Sequence, residues 1–125
     1  MSTKHEVLFA DSSNMKQISD KSVDLMITSP PYPMVSMWDE MFIEQNQKIN
    51  DYMESGNPNL AFEAMHENLD SIWLETYRVL KDGGIACINI GDATRTIKHD
   101  FQLFIVFNHY HCKPFKIISN HFKSF

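Results

Sequence analysis

An α/β fold with a parallel sheet is expected from three features of the 125-residue sequence. Apolar runs at residues 6–10, 23–28 and 85–90 have strand length and are rich in Val, Leu, Ile and Phe. Between the last two, residues 59–80 carry an amphipathic repeat at helical spacing. The resulting order is strand, short helix, strand, long helix, strand, and such alternation calls for parallel strands covered by helices.

Glu6-Val7-Leu8-Phe9-Ala10 predicts a short buried strand that stops at Asp11-Ser12-Ser13. Ser12 or Ser13 then caps a helical turn over residues 14–18, since a serine hydroxyl accepts from the first free amides of a helix. Ser19-Asp20-Lys21-Ser22 is a polar connection. Residues 23–28 alternate imperfectly, and their apolar character predicts a strand buried on both faces. That strand runs into Ser29-Pro30-Pro31-Tyr32-Pro33. Adjacent prolines have fixed φ and no N–H, so they end ladder pairing and set a stiff bend. Residues 34–57 show no clean period, and a mobile loop is expected around Ser55-Gly56-Asn57-Pro58. From 59 to 80, Phe62, Met65, Leu69, Ile72, Trp73, Thr76 and Val79 or Leu80 form one stripe, with Trp73 in the core. The acids from Glu63 to Glu75 form a solvated face. Lys81-Asp82-Gly83-Gly84 suits a helix C-terminus, and the strand over residues 85–90 stops at Gly91-Asp92, read as a turn.

The length allows one domain with a modest core. No apolar run approaches the roughly 18 residues of a membrane span. The N-terminus is a poor secretory signal, and two cysteines give no disulfide framework, so a cytoplasmic protein is expected. A net charge of −5 argues against a protein that coats nucleic acid, because phosphate binding needs a basic surface. The charge is uneven: residues 101–125 hold three lysines and no acid. This aromatic, basic tail differs from residues 1–100, and a truncated or frame-shifted product, or one half of a split enzyme, is expected. His109-Tyr110-His111-Cys112 is too tightly spaced for a four-ligand zinc site, so no metal is assigned.

The bend at residues 29–32 offers specific chemistry. An exocyclic amine on a nucleobase is a poor nucleophile because its lone pair is delocalised into the ring. Two acceptors on its protons turn the nitrogen towards tetrahedral geometry. The Ser29 hydroxyl oxygen is one such acceptor, and a carbonyl held by Pro30-Pro31 is the other. Tyr32 adds a flat face for the base, which must leave the duplex to reach it. Met34, Met37, Trp38-Asp39-Glu40 and Met41 follow closely, either lining the base pocket or packing as an amphipathic helix.

Thr28-Ser29-Pro30-Pro31-Tyr32 resembles the catalytic (D/N/S)PP(Y/F/W) motif of amino-methylating DNA methyltransferases. The segment from Ala10-Asp11 through Ser22 to Tyr32 is similar to the opening of the class whose catalytic motif precedes its cofactor motif. Tyr77-Arg78-Val79-Leu80-Lys81-Asp82-Gly83-Gly84, with the strand after it, resembles the next helix and strand. The resemblance covers about residues 6–95 and implies a partial Rossmann-like methyltransferase fold in residues 1–100. It implies S-adenosylmethionine as cofactor, with Asp11, Thr28 and Ser29 as cofactor-binding residues and Ser29, Pro30, Pro31 and Tyr32 as catalytic ones. It also implies double-stranded DNA with a flipped base as partner. Serine before the prolines is typical of cytosine-N4 enzymes of restriction–modification systems, and N6-adenine methylation is the alternative. The family's FxGxG loop is not found, since Gly56, Gly83, Gly84 and Gly91 form no such pattern. An inactive fragment, or a binding half awaiting a complementary C-terminal half, is therefore the other expectation.

Overall fold

The amphipathic repeat is the helix on which the remaining elements are assembled. The computed structural model describes residues 2–98 and 100–104. In chain order these form β1 (Val23–Thr28), a 3₁₀ turn (Ser36–Trp38), α1 (Asp39–Gln45), α2 (Lys48–Glu54), α3 (Pro58–Val79), β2 (Leu80–Ile88), β3 (Ala93–Ile97) and β4 (Asp100–Phe104). The mixed helix-and-strand content is that of an α/β protein. Pro58 opens α3 at a position where a missing N–H leaves no helical bond unmade. The predicted stripe is the buried one: Phe62, Met65, Leu69, Trp73, Thr76 and Val79 face inward, while Glu63, Glu67 and Asp70 face water. Burying a side chain of that size contributes about 1.5–3 kcal/mol.

The segment without a clean period is not a loop. Phe42 of α1 and Ile49 of α2 are fully buried against α3, together with Met34. The turn at residues 55–57 is closed by hydrogen bonding: Asn57 N–H donates to the Tyr52 carbonyl at 2.8 Å, and Gly56 takes φ +76°. Helices of seven residues show too few turns for their period to stand out in the sequence.

β1 and β2 pair in parallel, as expected. Lys81-Asp82-Gly83-Gly84 is not a separate connection but an irregular start to β2. Between the pairs Val23↔Leu80 and Leu25↔Ile85, two steps on β1 face five on β2. Gly83 absorbs the excess at φ +81°, and a methyl at Gly84 would come within 3.0 Å of the Lys81 carbonyl. β2 also ends at Ile88, two residues early. The expectation that β1 is buried on both faces fails. Met26 and Ile88 pack on the core beside α3, but Leu25 is 50% and Ile27 75% exposed on the other face, alongside Ile85.

Residues 6–10 form no strand; Val7 and Phe9 lie in water. A strand needs a neighbour for its N–H and C=O groups, and among the described residues β1 pairs only with β2. Residues 14–18 form hydrogen-bonded turns in place of a helical turn. Side chains of α3 explain the difference. Arg78 donates to the Met15 and Ile18 carbonyls at 2.9 and 3.0 Å, and Glu75 accepts from Met15 N–H at 2.7 Å. The same guanidinium bonds Glu75 twice at 2.8 Å and pairs with Asp20.

Arg78, with the Met15 amide, lowers the Glu75 pKa from 4.5 to about 2. A depressed carboxyl favours the docked state above its ordinary value, and this contribution fades as pH falls through the lowered one. Amide exchange at Met15 is thus expected to stay protected at pH 5 and to lose protection between pH 4.5 and about 2. Equal protection at pH 5 and pH 2 would show that Glu75 does not hold the segment.

β3 and β4 form a separate antiparallel hairpin, with Phe104 opposite Ala93 and Asp100 opposite Ile97. Ala93, Arg95 and Ile97 alternate on one face, and Phe104 stands 5.2 Å from Phe62 on α3. β4 carries the first residues of the aromatic tail; residues 105–125 lie outside the described residues, as does the His109–Cys112 cluster.

Candidate active site

β1 ends where parallel pairing ends. The Thr28 carbonyl accepts from Asn89 N–H at 2.9 Å, and Pro30 and Pro31 then offer no further donor. Ser29, Pro30, Pro31 and Tyr32 leave the sheet at the carboxyl ends of both strands, where open α/β sheets place ligands. The turn is anchored from below. Pro30, Pro33 and Met34 are buried, and Met34 N–H points at the Met65 sulfur at 3.2 Å. Met34 has φ +66°, a left-handed conformation that costs a non-glycine residue about 1–3 kcal/mol. Burial of its side chain, 1% exposed, holds it there. The Tyr32 carbonyl accepts from Val35 N–H at 3.2 Å and closes the turn.

On this base Ser29 is exposed and Tyr32 half-buried, with Ser29 Oγ and Tyr32 Oη 3.2 Å apart in a hydrogen bond. A hydroxyl and an aromatic ring are thereby held together on one rigid bend. From the end of β2, Gly91 closes on the ring: a methyl there would lie 3.3 Å from Tyr32 Cε2. No local pattern marks that contact; the one signal in the sequence is a glycine just past the end of a predicted strand.

Asp11 stands apart from this pair. It is exposed in a turn, with Oδ1 accepting from Ser13 N–H at 2.8 Å and its carbonyl accepting from Asn14 N–H at 3.1 Å. The Ser13 amide lowers its pKa, so the carboxylate is ionised at neutral pH. Among the described residues its hydrogen bonds stay within residues 11–14 and none joins it to the Ser29 turn.

The residues after the motif pack. Met34 and Phe42 are in the core and Trp38 and Met41 lie against it, while Met37 is exposed. Asp39 grips Arg95 with both oxygens, at 2.7 and 2.6 Å, and so ties α1 to the hairpin. A groove lined by Lys21, Tyr77, Arg78 and Asp82 lies at the opposite, amino-terminal ends of the strands. Its charges are already paired, Lys21 with Asp82, Arg78 with Asp20 and Lys81 with Asp24, which leaves little for a ligand. Among the described residues no three His, Cys, Asp or Glu side chains gather to hold a metal.

Residues 23–125 match the family described as DNA methylase, of N6/N4 methyltransferases. The chain is 47% identical over 115 residues to Type II methyltransferase M.MjaI of Methanocaldococcus jannaschii, covering 83% of this chain and 38% of that protein. It is 46% identical over 105 residues to Type II methyltransferase M.MthZI of Methanothermobacter thermautotrophicus, covering 83% of this chain and 30% of that protein. The chain thus spans about a third of the length of these curated relatives. No solved structure matches it. The match over most of the chain, with the Ser-Pro-Pro-Tyr bend where a parallel strand ends, makes this chain a member of the N6/N4 DNA methylase family.

Proposed function

We propose that this chain carries the amine-activating part of a restriction–modification DNA methyltransferase that methylates the N4 amine of cytosine, within a partial Rossmann-like fold. The pairing of Ser29 with Tyr32 on the rigid bend carries the proposal. The Ser29 hydroxyl oxygen and the Pro30 carbonyl accept hydrogen bonds from the two amine protons, which localises the nitrogen lone pair. Pro31 fixes the bend, and Tyr32 stacks on the flipped base. Such stacking is worth about 1–3 kcal/mol and helps offset the few kcal/mol of flipping. The relatives' names, Type II methyltransferase, support the restriction–modification context, and the double-stranded DNA substrate with it.

Enzymes of this family take their methyl group from S-adenosylmethionine, which supplies an electrophilic carbon. The residues present fit that cofactor in part. Asp11 is an exposed ionised acceptor suited to an adenine amine, and Thr28 and Ser29 border the site. No FxGxG loop occurs in the 125 residues, so backbone donors to cradle the cofactor come from elsewhere. A cytoplasmic location suits this reading, and no helix among the described residues is long and apolar enough to cross a membrane.

Duplexes in which only cytosine amines are eligible should acquire methyl groups, and duplexes with only adenine amines should not. The reverse pattern would assign N6-adenine methylation. The missing glycine loop favours a second reading, that the chain is a binding half completed by a complementary C-terminal half, or an inactive fragment. Calorimetric titration of the chain with S-adenosylmethionine separates these. No heat at millimolar cofactor supports the binding half or fragment, and micromolar affinity supports a complete pocket.

A further inference from the structure

We infer that Gly91 is a positioning residue: it sets where the Tyr32 ring stands, and through that ring it sets the Ser29 hydroxyl. This inference rests on the reading of Ser29 and Tyr32 as the amine-activating pair. The glycines of the chain serve different needs. Gly56 and Gly83 take positive φ, where a side chain is strained, and Gly84 is crowded by backbone carbonyls. Gly91 has neither constraint, because its φ is outside the left-handed region and its near neighbour is a side chain. A methyl at Gly91 would stand 3.3 Å from Cε2 and 3.5 Å from Cδ2 of Tyr32, so it meets one side of the ring. Glycine is favoured there by the ring's approach, not by the backbone.

Tyr32 is bounded at three places. The residue's backbone carbonyl is tied by Val35 N–H, its hydroxyl by Ser29 Oγ, and the Cδ2–Cε2 side of the ring borders the space a Gly91 side chain would take. The hydroxyl contact, at 3.2 Å, is already long for two oxygens, whose usual separation is about 2.7–2.8 Å. A shift of the ring by a few tenths of an ångström to admit a Gly91 methyl therefore alters that bond or moves Ser29 with it. Ser29 has one proton and two lone pairs, so its bond to Tyr32 decides which lone pairs remain for an incoming amine. Gly91 thus acts on the acceptor geometry without touching the base.

The first test uses nuclear magnetic resonance of the unmodified chain. A through-space contact between Gly91 Hα and the Tyr32 ring protons is expected, and its absence overturns the inference without any substitution. Gly91→Ala should then move both the Tyr32 ring and the Ser29 Cβ signals. In a Tyr32→Ala background it should leave Ser29 in place. An equal displacement of Ser29 in both backgrounds would show general distortion and defeat the inference. In methyl transfer, Gly91→Ala is expected to lower kcat about tenfold, with KM for DNA within twofold. An unchanged kcat in a methylating preparation counts against positioning. Absence of methylation by the unmodified chain counts against independent catalysis, while the resonance experiment still decides the role of Gly91.

Discussion

Replacing Ser29 by alanine is expected to lower methyl transfer to DNA by about 10²–10³-fold while leaving duplex affinity within a few fold. The magnitude is that of losing one preorganised hydrogen-bonding group at a reacting centre. Ser29 is exposed, and among the described residues its side chain bonds only Tyr32, so the fold should survive the change. Tyr32→Ala should cost a further about 1–3 kcal/mol through lost stacking, seen as weaker retention of the flipped base. Tyr32→Phe keeps the ring and removes the partner of Ser29, so its deficit isolates the hydroxyl. Each variant is compared with the parent for initial rate on one duplex, under conditions in which the parent methylates. Full turnover by the Ser29→Ala, Tyr32→Ala double variant would remove the bend from the mechanism.

Much of this site was legible from residues 23–33, for a definite reason. The apolar run and the diproline that ends it are both local signals, and the run became a strand because β2 lies beside it. The stripe of α3 was legible for a similar reason, since 22 residues give six turns over which a period can repeat. Residues 6–10 show the opposite case. Their composition favours a strand, but strands are made by neighbours, and Val7, Leu8 and Phe9 lack one among the described residues. Leu25 and Ile27 are exposed as well, on the face of β1 opposite the one that packs on the core. Residues 14–18 turned on Arg78 and Glu75, some 60 positions away, which no local pattern reveals. Gly91 and Tyr32 likewise meet only because β1 and β2 are paired.

Asp39→Ala should destabilise the protein by about 2–3 kcal/mol, below the 3–5 kcal/mol typical of breaking a fully buried pair. Arg95 lies between Ala93 and Ile97 on the inward face of β3, where a cation belongs only if it is matched. Asp39 matches it with two bonds, and the side chains are only 21% and 17% exposed. Removing the carboxylate strands a guanidinium against the core and loosens the hairpin from α1, whose first residue is Asp39. Since α1 follows the 3₁₀ turn that continues the Ser29–Tyr32 bend, the strain should reach the bend as well. An ion pair of this kind contributes little beyond an apolar pair of similar volume, because its desolvation nearly cancels its attraction. Asp39→Leu combined with Arg95→Met is therefore expected to recover most of the lost stability, although either change alone is harmful. Urea unfolding of the four proteins measures this directly. A single Asp39→Ala variant within about 0.5 kcal/mol of the parent, the scale of ordinary surface changes, would mean that the hairpin is held by Phe104 and Ile97 alone.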